Sequence, residues 1–118
     1  MTKEQIQQEL LDAIGERDTL VESYQKHLVD QVNAEHAFKL AYATNMLKAE
    51  GKNSDQRDAF VTTTIAPQML TYRLAEAMAK GVKEALTAKS DKISAFQSLL
   101  RAEMQEADAL RFGQHNQA

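Results

Sequence analysis

Apolar side chains return every third or fourth position through nearly the whole of this 118-residue chain, and little interrupts them. An α-helix turns once in about 3.6 residues, so this spacing lines one helical face with hydrophobic groups. The chain has one Pro, four Gly, no Cys and no Trp. A fold of many short strands needs far more turn residues than that. The expected fold class is therefore all-α: a long antiparallel helical hairpin, coiled-coil-like, packing into a homo-oligomeric bundle. Two helices side by side share only one seam, so a full core calls for a third segment or a second copy.

Local signals set the boundaries. Thr2 with Gln5 three residues on makes a capping box. Ile6, Leu10, Leu11 and Ile14 follow at helical spacing, and Gly15 weakens the helix without having to end it. The pattern continues through Leu20, Val21, Tyr24, Leu28, Val32, Phe38, Tyr42, Met46 and Leu47. Small residues at Ala34, Ala37, Ala41 and Ala43 would let a second helix approach closely. The clearest break is Glu50-Gly51-Lys52-Asn53-Ser54-Asp55. Gly51 suits the left-handed position after a helix, Asn53 a turn, and Ser54 or Asp55 a cap for the next helix. The resulting plan is one domain over residues 1–118, with a helix over about 3–50, a loop at 51–54, a helix over about 55–112 and a frayed tail at 113–118.

Pro67, behind the run Thr62-Thr63-Thr64, admits two readings. One is a short helix, a break near residue 65, and a new helix with Pro67 in its first turn. The other, favoured because no Gly, Asn or Asp stands just before Pro67, is a continuous or mildly kinked helix. Beyond it, Ala75, Met78, Val82, Ala85, Leu86, Ile93, Phe96, Leu100 and Met104 sustain the helical spacing. Leu86, Ile93 and Leu100 step by sevens, a heptad-like seam that Lys89 interrupts and that would hold a dimer together. Gly81 reads as a close-contact point or a small local cost, and Gly113 as a C-cap.

The chemistries can be tested in turn. With no Cys, disulfides and thiolate metal sites are absent. No Glu-x-x-His pair and no His-Glu-x-x-His motif occurs. His27 and Asp30 are best read as a solvated surface pair. No glycine-rich phosphate loop and no Gly-x-Ser-x-Gly elbow is present. Ser90, Ser94 and Ser98 share a helical face as small spacers beside the seam, and Glu103, Glu106 and Asp108 form a solvated stripe. Catalytic, cofactor-binding and metal sites are all expected to be none, and the chain is not expected to be an enzyme. Seventeen acidic against fourteen basic residues give a net charge of −3, without the basic excess usual in a nucleic-acid-binding module. Arg73, Lys80, Lys83, Lys89, Lys92 and Arg101 lie along the second long helix and could meet phosphates, but Glu76, Glu84 and Asp91 dilute them. DNA is a secondary partner in this reading. The aromatics Tyr24, Phe38, Tyr42, Phe60, Tyr72, Phe96 and Phe112 read mostly as packing anchors, with Tyr72 or Phe112 offered to an interface. The polar N-terminus and the lack of any stretch near the roughly 20 apolar residues of a membrane span lead to an expected place in the cytoplasm.

Several segments carry a resemblance: Leu40-Ala41-Tyr42-Ala43, Met46-Leu47-Lys48-Ala49-Glu50-Gly51, Gln56-Arg57-Asp58-Ala59, Ala75-Glu76-Ala77, Val82-Lys83-Glu84-Ala85-Leu86 and Ile93-Ser94-Ala95-Phe96-Gln97-Ser98-Leu99-Leu100-Arg101-Ala102-Glu103. Over roughly residues 24–105 the chain resembles small helical proteins of tailed phages and prophages. The Thr run before Pro67 departs from the Ala-rich pattern usual there. The resemblance implies an accessory role beside phage replication and recombination proteins, in the cytoplasm of a host bacterium. Its expected partners are a second copy of the chain and a protein partner. A purely structural role, as scaffold or assembly chaperone, is the third alternative.

Overall fold

Three helices account for the structure, a computed structural model that describes the backbone of residues 1–49 and 51–117 and the side chains of 1–49, 51–111 and 113. Helix α1 runs Lys3–Lys48, α2 Ser54–Thr64 and α3 Ala66–Gln117. No strand occurs among the described residues. The all-α expectation holds.

The capping box opens α1 as the sequence dictates. The Thr2 backbone N–H donates to Gln5 Oε1 at 2.8 Å, and the Gln5 N–H donates to Thr2 Oγ1 at 3.2 Å. Gly15 lies inside α1 without a break. Gly51 adopts φ +90, the left-handed turn expected of it, and the Lys52 N–H closes onto the Ala49 carbonyl at 3.2 Å. The cap of α2 is Asn53 rather than Ser54 or Asp55. Its side chain accepts from the Gln56 N–H at 2.8 Å, so Ser54 is already helical. Asn53→Ala should lower the unfolding free energy by about 1 kcal/mol, read from urea midpoints. Arg57 braces the same turn by donating to the Lys52 carbonyl at 3.2 Å.

At Pro67 the structure takes the reading not favoured above. The helix breaks for one residue, Ile65, with φ −96 and ψ 5, and Pro67 sits in the first turn of α3. Proline has no N–H to return to the Thr63 carbonyl, which opens the ladder at that point. The bonds on either side survive, Ile65 N–H to the Val61 carbonyl and Met69 N–H to the Ile65 carbonyl, each 3.0 Å. The missing Gly, Asn or Asp is not needed, because a single proline suffices to interrupt the ladder. At the far end, α3 continues past residue 112 to Gln117. Gly113 therefore lies within the helix and has no positive φ. A glycine costs a helix roughly 1 kcal/mol but does not stop one that other residues propagate. The rest of the expected tail, Ala118, lies outside the described residues.

The chain forms two compact units, one of residues 1–21 and 84–118, the other of residues 22–83. In the second unit, α1 and the α2–α3 arm are antiparallel. Ala49 packs with Val61 and Ile65 near the turn, and Phe38 meets Tyr72 further along, their rings 5.7 Å apart. Phe38, Ala41, Met46 and Phe60 close around the Ala49–Val61–Ile65 cluster. The inward positions of α1 here are Tyr24, His27, Gln31, Ala34, Phe38, Ala41 and Asn45, alternating steps of three and four. That is a heptad seam, and three of its seven members are polar. Val21, Leu28, Val32, Tyr42 and Leu47, expected to pack inward, are instead 38–75 % exposed. Each is displaced from the 3.5-residue repeat that a two-helix seam enforces.

In the first unit the inward residues of α3 are Leu86, Lys89, Ile93, Phe96, Leu100 and Glu103. They face the segment of α1 that buries Ile6 and Ala13. The expected heptad row is thus real, and it packs within the chain. Lys89 belongs to it instead of interrupting it. Beyond Glu103 every described side chain of α3 is exposed.

Candidate interaction surface

A seam only two helices wide hides little. Among the described residues seven are buried, and three of these are alanines (Ala13, Ala49 and Ala79), whereas fifteen large apolar side chains are exposed. The apolar surface that the seam leaves outside can be read residue by residue.

The two long sides of the second unit differ in chemistry. One passes Glu35 of α1 and Glu76 of α3. Here Lys39 binds Glu35 at 2.8 Å, one turn apart on α1, and a recess is lined by Phe38, Met69, Tyr72, Arg73 and Glu76. Partial burial raises the Tyr72 phenol above its ordinary pKa, helped by the negative charges of Glu35 and Glu76. The hydrogen bond and charge of Glu35 raise Lys39 as well. Tyr72, expected at an interface, is committed to Phe38 and this polar cluster, and Tyr42 is the tyrosine left 47 % exposed. Phe112 lies outside the described side chains.

The other side passes Ala37 of α1 and Thr71 of α3. Ala34 and Ala37 are too short to fill the space opposite Pro67, Gln68 and Thr71, which leaves a shallow groove of about 200 Å³. Stepping along the helices from this groove, α1 presents Leu40, Thr44 and Leu47, and α3 presents Leu70, Leu74, Ala77, Met78 and Gly81. Asp30, one heptad before Ala37, bounds this surface on α1, and Arg73 and Lys80, one turn from Leu70 and Ala77, flank it on α3. Gly81 has no heavy atom within 4 Å of where a Cβ would stand, so it makes no close contact within the chain.

The first unit holds its own electrostatic contact. Lys89, whose side chain is 20 % exposed in the seam, donates to Glu16. That hydrogen bond, then the Lys89 charge and more weakly that of Lys92, hold the Glu16 carboxyl below its ordinary range. Protonation is therefore harder in the folded chain than in the unfolded one. The stabilisation is complete above the unfolded value of 4.5 and fades as pH falls through the lowered folded value. Glu16→Gln should melt below the parent at about pH 6, and the gap should narrow as pH falls below 4.5, as followed by circular dichroism.

The remaining sequence candidates scatter. His27 turns into the seam and is half-buried, while Asp30 and His36 are exposed. His115 lies outside the described side chains. Ser90, Ser94 and Ser98 are all exposed, so they stand away from the seam. Glu106 and Asp108 are exposed, Asp108 pairing with Arg111 at 2.8 Å, and Glu103 is half-buried at the end of the seam. Among the described residues no three or more His, Cys, Asp or Glu come together to hold a metal ion. No described helix is long and apolar enough to cross a membrane. Of the six basic residues singled out along α3, Lys89 and Lys92 act on Glu16. Leu47 and Met78 on the groove side, expected in the core, are exposed, because the register of the seam leaves them out. No family model, curated protein or solved structure matches the chain.

Proposed function

We propose that this chain is a non-enzymatic accessory protein that works by binding other proteins, in the setting its resemblance implies: phage DNA replication or recombination, or modulation of the host, within a bacterial cytoplasm. The observation that carries the reading is the distribution of apolar residues, with fifteen large ones exposed against seven buried, three of them alanines, among the described residues. Apolar surface exposed in clusters marks sites of protein association. A direct DNA-binding role draws less support. Lys89 and Lys92 answer to Glu16, and Arg73 shares its recess with Glu76, so the basic residues offer no unbroken row to a phosphate backbone.

The test is affinity capture of the tagged chain from infected bacteria after brief crosslinking, beside a gel-shift titration at low salt. Specific recovery of a replication, recombination or host regulatory protein supports the reading. Recovery of nothing beyond the tag-only control, or micromolar DNA binding that weakens steeply with salt, would replace it.

A further inference from the structure

We draw no further inference here: the strongest candidate, the apolar surface beside the groove of the second unit, formed by Leu70, Leu74 and Met78 of α3 with Leu40 and Leu47 of α1, carries nothing because nothing in the structure shows what covers it.

Discussion

Truncating Ile65 to alanine should lower the unfolding free energy by about 3 kcal/mol, a large fraction of the 5–15 kcal/mol that holds a domain together. Ile65 is 2 % exposed and, with Ile6, is one of the two largest side chains fully enclosed. Its neighbours are Val61 and the wholly buried Ala49, with Phe38, Ala41, Met46 and Phe60 packed around them. Alanine has no side chain with which to reach into a vacated space, and Phe38 is already held against Tyr72. The site therefore collapses poorly, which places the cost well inside the 2–5 kcal/mol range of isoleucine-to-alanine changes. A urea titration followed by circular dichroism measures it, with Leu74→Ala, on a half-open surface, as the comparison. A loss below about 1 kcal/mol for Ile65→Ala would mean that the cluster is not the organising core of the second unit.

Lys89→Leu should raise the melting temperature by about 4 °C, the shift that roughly 1 kcal/mol makes in a domain of this size. Lys89 stands between Leu86 and Ile93 in the seam, and its side chain is only 20 % exposed. A leucine there adds buried apolar area. The partner lost is Glu16, whose side chain is 55 % exposed and stays hydrated when the ammonium is gone. Pairs that open to water contribute little, so the packing gain prevails. The same variant should lose the part of the acid sensitivity assigned to Glu16. Destabilisation instead would show that the ion pair, not the apolar contact, holds the two helices in register. A single polar residue in a seam often sets alignment at a cost in stability, and Lys89 fits that description.

The class of fold was legible because it depends on periodicity and on missing turn residues, both of which a sequence displays directly. The Thr2–Gln5 box and the Gly51 turn were legible for the same reason, each being a local bond between near neighbours. What could not be read was which of two adjacent apolar rows faces the partner helix. Val32 and Leu28 look as fit for a core as Ala34 and Gln31 do, and hydrophobicity alone prefers the wrong pair. The repeat of 3.5 residues decides for Ala34 and Gln31, through contacts with residues some forty positions away. Pro67 was a balance between two local preferences, settled by the donor it lacks. The apolar surface beside the groove emerged only once the seam was fixed, since it consists of residues that the seam leaves over.

The terminal stretch of α3 carries a consequence for how the molecule moves. From Met104 onward its described side chains touch no enclosed interior. An isolated helix of that length is marginal in water, because few residues share the cost of nucleation. Its amide protons should therefore trade with deuterium long before those flanking Ile93, and a protease should nick it first while the rest of the polypeptide stays whole.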